Sequence, residues 1–385
     1  SGFVPNELFS SAMYVTLCLG LIGLAGLIIL KGSTYDNHDN QNDDKILLKC
    51  VRYTGAILTL IGSYSFFNTK IINVQRAFDY GYGNIFGQQA NSNTPGILSN
   101  ISMFFIPGII LLLISYKKNP LKRALIMVPV VISIVLSFAA GGRGGALSII
   151  IAIFWLYTVE FSIVTRRKLI PLIIVALLIL GATNTLKEYR VAEVKNFQTL
   201  ANIYKRDGIG QYAVIGALNE FGYNIFSTYY TMKIIPDQQA YAKGYTYLAS
   251  ALAILPSSAY GGHSFSQEAG LPDWLQRTLG LDYGPGYSIA AESYYNFGWN
   301  GLYAIFGVGA VLASFLRNTY IGQRKSLRNA FIAILLYTNL FIARDTSLMV
   351  FRKYAYTVLL PMVMIAIFYS IYGGRHSKEE KKEAS

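Results

Sequence analysis

The stretch Gly284–Leu302, GPGYSIAAESYYNFGWNGL, lies where a long polar loop runs into a membrane helix. Glu292 and Asn296 are four residues apart, so they share one face of a helix. Tyr and Trp rings surround them, and such amphipathic rings favour a membrane–water boundary. A carboxylate at this boundary is either a harmless surface group or a chemically active one, and the rest of the chain bears on that choice.

The composition is that of a membrane protein. The chain is 53% hydrophobic and only 14% charged, whereas soluble domains carry about 25% charged residues. Several apolar runs approach the roughly 20 residues that cross a bilayer as a helix. Because backbone groups in lipid must be hydrogen-bonded within their own segment, we predict an all-α polytopic integral membrane protein. The net charge of +13 does not indicate nucleic-acid binding, because the basic residues cluster beside apolar runs.

Nine apolar runs are predicted to span the membrane, and two further stretches in the long loop bring the possible total to about 9–11. The predicted spans are Leu8–Leu30, Val51–Phe67, Ile97–Tyr116, Ala124–Ala140, Ala146–Val164, Leu169–Thr183, Phe297–Leu316, Ala330–Ala343 and Phe351–Tyr372.

Basic residues orient these spans. Clusters such as Lys117–Lys118 and Arg166–Lys168 occupy alternate short connections, as does the basic tail. Since short cytoplasmic loops carry an excess of Lys and Arg, this side is predicted to face the cytoplasm of a bacterial inner membrane. The long loop then lies on the periplasmic side. Residue 1 also falls outside, so we expect a further N-terminal span to have been missed or to precede the sequence.

The long loop separates two groups of spans. Its stretches Ala213–Ile235 and Tyr245–Tyr260 form either a membrane hairpin or interfacial, re-entrant helices. The second reading is preferred, because their connection, Pro236–Gly244, carries only Lys243 where cytoplasmic connections carry several basic residues. The predicted parts are N-terminal transmembrane helices at 1–183, the extracytoplasmic loop at 184–295, C-terminal transmembrane helices at 296–374 and a cytoplasmic tail at 375–385.

Cations gather at the predicted outer ends of helices. Arg143 lies in a GGRGG turn, and Arg344 and Arg352 flank the connection between the last two spans. The eighth run is short for a bilayer, so Arg344 and Arg352 are expected below the outer surface. Arginine binds phosphate oxygens through a planar fork, which suits a cavity for a phosphate ligand. The alternatives are a plain turn at Arg143 and an ion pair between Arg344 and Asp345.

Two residues are candidates for a general base. His263 is the only histidine of the long loop, and a histidine near neutral pKa can accept a proton. Glu292 could do the same at a partly buried boundary. The alternatives are an exposed loop residue for His263 and, for Glu292, a structural carboxylate bonded to a helix end or an arginine. No metal-binding pattern is present in the sequence, so neither metal nor cofactor is predicted, and arginines would stabilise a departing anion.

The GGRGG turn and the pattern Glu292-x-Tyr294-x-Asn296-Phe297-Gly298-x-x-Gly301 resemble O-antigen polymerases of the Wzy type, also called oligosaccharide repeat-unit polymerases. The resemblance implies a fold similar to the C type of glycosyltransferase. It also implies lipopolysaccharide biosynthesis on the periplasmic face, by a metal-independent inverting transfer from undecaprenyl diphosphate to a new lipid-linked repeat unit.

The roles that the resemblance implies follow by position. Diphosphate binding falls to Arg143, Arg344 and Arg352, with Arg190 and Arg277 as helpers. Glu292 or His263 would deprotonate the acceptor hydroxyl, and Asn296 and Tyr294 would position the acceptor.

The expected partners are an undecaprenyl-diphosphate-linked oligosaccharide, membrane lipid, a chain-length regulator and a flippase. Two other functions stay open, an O-antigen ligase and a flippase or exporter of lipid-linked glycans. The Glu-x-Tyr-x-Asn pattern favours the polymerase over the ligase. A flippase is disfavoured because no predicted span carries a charge near its middle.

Overall fold

A computed structural model of the chain describes residues 5–31, 45–80, 96–140, 142–161, 197–207, 225–322 and 325–383. Within these ranges the regular structure is entirely helical, without a strand, and the prediction of an all-α membrane protein is confirmed.

The described helices follow in chain order: α1 (Pro5–Leu30), α2 (Lys45–Tyr80), α3 (Gly96–Ser102), α4 (Phe105–Ser115), α5 (Pro120–Ala139), α6 (Arg143–Val159), α7 (Phe197–Asp207), α8 (225–234), α9 (Tyr245–Leu252), α10 (Phe265–Glu268), α11 (Leu271–Leu279), α12 (Ile289–Phe297), α13 (Gly301–Gly322), α14 (Lys325–Asn339), α15 (Ser347–Lys353) and α16 (Leu360–Glu383). Short 3₁₀ turns join some of them, and a π-helical turn, Tyr354–Leu359, joins α15 to α16.

Seven segments of the described chain are long and apolar enough to cross a membrane. They are Asn6–Leu30, Lys45–Ala77, Leu98–Ser115, Pro120–Ala139, Ile289–Asn318, Lys325–Arg344 and Ser347–Tyr372. Each corresponds to one of the predicted spans. The predicted span Ala146–Val164 is found as a shorter apolar helix, Gly144–Val159. The predicted span Leu169–Thr183 lies outside the described residues.

Several predicted spans are shorter than the segments that form, the second and the eighth among them. The second continues past Phe67 to Ala77, and the eighth begins at Lys325 and extends to Arg344, over 20 residues. The predictions were wrong at these ends because hydropathy falls at polar side chains, whereas backbone hydrogen bonds continue the helix through them. The segment that ends at Arg344 is thus 20 residues long, and the Arg344 side chain is exposed. Its expected depth relative to the outer membrane surface stays a prediction.

Small residues bring α2 and α4 into backbone contact. A Cβ on Gly62 would lie 2.7 Å from the Phe105 nitrogen, and one on Gly108 would lie 2.5 Å from the Thr59 hydroxyl. In lipid, no hydrophobic effect drives helices together. Close packing of this kind supplies the attraction between them instead.

The buried carboxylate of Glu160 joins three elements at one end of the bundle. This end carries Lys117 and Lys118 and is named the basic end. Glu160 Oε1 accepts a hydrogen bond from the Ser326 hydroxyl at 2.7 Å, and Oε2 accepts one from Asn329 Nδ2 at 2.7 Å. Lys117 Nζ lies 3.6 Å from Oε1. Residues from three connections that were predicted to share one side therefore meet at one end of the bundle.

The second apolar stretch of the long loop does not form a spanning helix. The eight-residue helix α9 is followed by the turn Ser257–Tyr260 and the short helices α10 and α11. Eight residues extend only about 12 Å, less than half of the roughly 30 Å hydrocarbon core. The first stretch begins outside the described residues. Helix α12 crosses residue 295, where the loop was predicted to end.

Candidate functional site

The sequence Gly298-x-x-Gly301 breaks the helix that enters the membrane. Gly298 has φ 60° and ψ −138°, a backbone conformation that residues other than glycine rarely adopt. A Cβ on Gly301 would lie 2.4 Å from both the Ser293 carbonyl oxygen and the Tyr14 hydroxyl. The two glycines therefore allow α12 to end and α13 to begin in close contact with α1.

Asn296 binds the long loop to α12. Its Nδ2 group donates to the Thr246 hydroxyl at 2.7 Å, and its Oδ1 atom accepts from the Gly244 nitrogen at 2.9 Å. The Lys243 nitrogen donates to the Asn296 carbonyl oxygen at 3.0 Å. The loop backbone thus satisfies a carbonyl group that the end of α12 leaves open. Asn296 is completely buried, so its role in the described structure is to join these elements.

Glu292 is also completely buried and fully engaged. Oε2 accepts from the Ser347 nitrogen at 2.6 Å, while Oε1 accepts from the Ser347 hydroxyl at 2.5 Å and the Thr246 hydroxyl at 2.9 Å. Ser347 is the first residue of α15, so the carboxylate caps the start of that helix from a distant part of the chain. Of the two readings of Glu292, the contacts favour a structural carboxylate bonded to a helix end.

Tyr294 packs in the same interior. Its ring meets that of Tyr14 edge-on, with centroids 5.4 Å apart, and only 7% of the residue is exposed. The Tyr14 hydroxyl forms a hydrogen bond with the Ser293 hydroxyl at 2.8 Å. The predicted acceptor-positioning residues, Asn296 and Tyr294, therefore lie within the junction of α1, α12 and the loop.

His263 lies on the surface of the long loop, with 54% of its side chain exposed. Nε2 is 2.9 Å from Glu268 Oε1, and the Tyr245 hydroxyl donates to Glu268 Oε2 at 2.5 Å. This hydrogen bond to the carboxylate raises the pKa of Tyr245, with a smaller contribution from burial, so its proton stays on the hydroxyl. Sequence reasoning missed Glu268, although its place five residues after His263 in one loop was a usable signal.

Arg352 binds the same loop from α15. Its Nε atom donates to the Ala253 carbonyl oxygen at 3.1 Å, and Nη2 donates to the Ser266 hydroxyl at 2.5 Å. Ser266 lies three residues from His263. One of the predicted phosphate-binding arginines is therefore bonded to the loop that carries a predicted base.

Asp345 does not form its predicted ion pair with Arg344. Its Oδ2 atom binds Lys353 Nζ at 2.6 Å instead. Burial raises the pKa of the Asp345 carboxyl, and the charge of Lys353 opposes that shift. The alternative account of Arg344 as one half of a local ion pair is wrong, because Lys353 reaches the carboxylate from the next helix. Arg344 stays exposed at the end of the turn Ile342–Arg344.

The GGRGG turn lies beside another cation. Arg143 is the first residue of α6, and only its backbone is described. Lys70 Nζ donates to the Ser137 hydroxyl at 2.6 Å, and a Cβ on Gly145 would lie 3.6 Å from Nζ. A Cβ on Gly144 would lie 3.5 Å from the Phe341 ring. The turn therefore packs against Lys70 and the segment that leads to Arg344. Lys70 was missed because hydropathy ended the predicted span at Phe67.

Arg277 is the one predicted helper arginine that lies within the described residues. Arg277 is exposed on α11, where Nε donates to the Asp273 carbonyl oxygen of its own helix at 3.2 Å. Arg190 lies outside the described residues. In the parts of the chain that are described, no group of three or more His, Cys, Asp or Glu side chains is placed to hold a metal ion.

The family model for O-antigen polysaccharide polymerase Wzy matches residues 3–376, nearly the whole chain. No curated protein and no solved structure matches it. The predicted resemblance is confirmed, and on this match the chain belongs to the O-antigen polysaccharide polymerase Wzy family.

Proposed function

We propose that this protein polymerises lipid-linked oligosaccharide repeat units on the periplasmic face of the bacterial inner membrane. The growing glycan leaves undecaprenyl diphosphate and joins the non-reducing-end sugar of a new undecaprenyl-diphosphate-linked repeat unit. Family membership supports a glycosyltransferase-type polymerase. The observation that carries the finer proposal is the contact between Arg352 and Ser266, which joins a cationic helix to the His263 loop.

Cations at one end of several helices would bind the diphosphate. Lys70 and the Arg143 turn lie side by side, and Phe341 connects that turn to the segment ending at Arg344. The carboxylate of Asp345 is neutralised by Lys353, so it does not cancel the remaining positive charge. Fixed cations in a protected site stabilise an anion that gains charge as its bond breaks.

Exposure separates the two candidate bases. A sugar hydroxyl can approach His263, whose side chain is half exposed. It cannot approach the Glu292 carboxylate, which has no exposed surface and already accepts three hydrogen bonds. A general base must come within about 3.2 Å of the proton that it removes. We assign the base to His263 and a structural role to Glu292.

The reaction is then a metal-independent, inverting displacement. His263 accepts the proton of the acceptor hydroxyl, and the oxygen attacks the anomeric carbon of the donor glycan. The bond between that carbon and the diphosphate breaks with its electron pair on the departing oxygen. The proton passes from His263 to solvent and returns the imidazole to its neutral form.

The test is a gel of reaction products. Purified protein is incubated with an undecaprenyl-diphosphate oligosaccharide of matching repeat unit, with and without EDTA. A ladder of lengthening products under both conditions is expected. No ladder from folded protein would contradict the proposal. Transfer only after addition of a lipid A core acceptor would indicate a ligase instead, and loss of the ladder in EDTA would contradict metal independence.

A further inference from the structure

The contacts of the His263 loop point to a second residue in the proposed chemistry. Resting on the proposed function, we propose that Glu268 is the positioning residue for His263, holding the imidazole ring so that its Nδ1 atom is the basic nitrogen presented to the acceptor hydroxyl. Glu268 acts through His263 and does not itself touch the substrate.

The hydrogen bonds around Glu268 fix both of its oxygens. Oε1 lies 2.9 Å from His263 Nε2, and Oε2 accepts the Tyr245 hydroxyl proton at 2.5 Å. A neutral imidazole carries its proton on the nitrogen that donates a hydrogen bond. With Nε2 donating to Glu268, the free lone pair is on Nδ1. The Tyr245 hydroxyl keeps the carboxylate from turning away from the ring.

Packing limits the remaining freedom of the imidazole ring. The Phe265 ring meets that of His263 edge-on with centroids 4.5 Å apart, and the Tyr260 ring meets Phe265 at 5.0 Å. Phe265 packs in turn on a small buried cluster that includes Leu348 of α15. The His263–Glu268 pair therefore rests on α15, the helix that carries Arg352.

The charged and titratable groups in and around the His263–Glu268 pair come from four elements. Glu268 is on α10, Tyr245 on α9, Tyr260 in the preceding turn and Arg352 on α15, reaching the loop through Ser266. The His263 side chain is 54% exposed and that of Glu268 is 32% exposed. One side of the pair is thus bonded to the protein, while the other is open to a ligand.

Exposure also makes the proposal separable from a stability effect. Polar contacts between exposed side chains, even when both are charged, typically contribute little to folding. Replacing Glu268 should therefore leave the protein folded. If Glu268 positions a base, the same replacement should reduce turnover strongly, because general base catalysis contributes about 10²–10⁴-fold to rate.

The experiment measures initial polymerisation rates of E268Q, H263A and the double variant, with D282N as the matched control. Asp282 is an exposed carboxylate of the same loop. We expect E268Q to lower kcat about tenfold or more with KM nearly unchanged, and H263A to lower it about 10²-fold. The double variant should be no slower than H263A, and D282N should match the wild type. Added imidazole should raise the rate of H263A, since it supplies the missing base.

Three results would overturn the proposal: an E268Q rate equal to that of D282N, a double variant slower than H263A by the full E268Q factor, or an E268Q loss that appears only in KM. Each variant is checked for a monodisperse elution profile. In E268D, which keeps a carboxylate, partial recovery of kcat over E268Q is expected. If wild-type protein forms no ladder, the proposed function fails; if wild type and E268Q polymerise alike, only the role of Glu268 fails.

Discussion

Replacing Glu292 tests whether this buried carboxylate is structural or catalytic. Three donors converge on it: the Ser347 nitrogen, the Ser347 hydroxyl and the Thr246 hydroxyl. Alanine would leave them without their acceptor in a site that has no exposed surface. Each buried unsatisfied group costs about 1–3 kcal/mol. Because the hydroxyl groups can turn toward other acceptors, we expect E292A to lower the free energy of unfolding by about 4 kcal/mol.

Glutamine should be far milder, because it keeps the volume and one oxygen. The amide oxygen can accept from the Ser347 nitrogen, and the amide nitrogen can donate to hydroxyl groups that rotate to accept. We expect E292Q to cost about 1–2 kcal/mol and to retain most of its activity per folded molecule. A catalytic base would instead lose nearly all activity in E292Q.

The assay combines two readings on purified protein. Size-exclusion elution after heating to a series of temperatures measures how much protein stays folded, and the product gel measures polymerisation by that folded fraction. The expected order of thermal stability is wild type, E292Q, then E292A. A fully folded E292Q protein that makes no polymer would refute the structural assignment. An E292A protein as stable as the wild type would refute the hydrogen-bond argument.

Three further predictions follow from individual contacts of Gly301, Lys70 and Arg352. G301A should lower the free energy of unfolding by about 1–3 kcal/mol, because its Cβ would overlap the Ser293 carbonyl oxygen. Thermal elution profiles should show this loss in G301A but not in the control G307A, whose Cβ meets nothing within 4 Å. K70M should shorten the products while membrane levels on an immunoblot stay unchanged. K118M at the basic end should leave product length unaltered, and equal product lengths in both would exclude Lys70 from the site. R352K should reduce initial polymerisation rates about tenfold or more, because an ammonium group cannot replace the guanidinium contacts to the loop. An R352K rate equal to that of the wild type would show that polymerisation does not depend on these contacts.

Hydropathy was enough to predict the class of protein and most of its spans. Lipid forces each apolar segment to satisfy its own backbone, so composition and helix formation are coupled there. The same signal ended the second span too early. Lys70 follows a polar Asn-Thr pair, yet its helix continues to Tyr80 and places the ammonium group beside the GGRGG turn. Side-chain hydropathy carries no information on where backbone hydrogen bonding stops.

The site was harder to predict, because its contacts join residues far apart in sequence. Glu292 and Asn296 were correctly expected to share one helix face, but their partners come from the loop and from α15. Those partners make Glu292 a buried cap. Nothing in the local sequence separates a buried carboxylate from an exposed one at the same boundary. The pairing of His263 with Glu268 is local and could have been found by counting residues along the loop.

The most direct test of the proposed polymerase counts carrier molecules. Radiolabelled undecaprenyl-diphosphate oligosaccharide is incubated with the purified protein, and released undecaprenyl diphosphate is separated by thin-layer chromatography while new glycosidic bonds are counted from the gel. If glycan is transferred from its diphosphate carrier to a second lipid-linked unit, one carrier is released for each bond formed. Release of the carrier without bond formation, or transfer of the repeat unit across the membrane with no carrier released, would contradict the account.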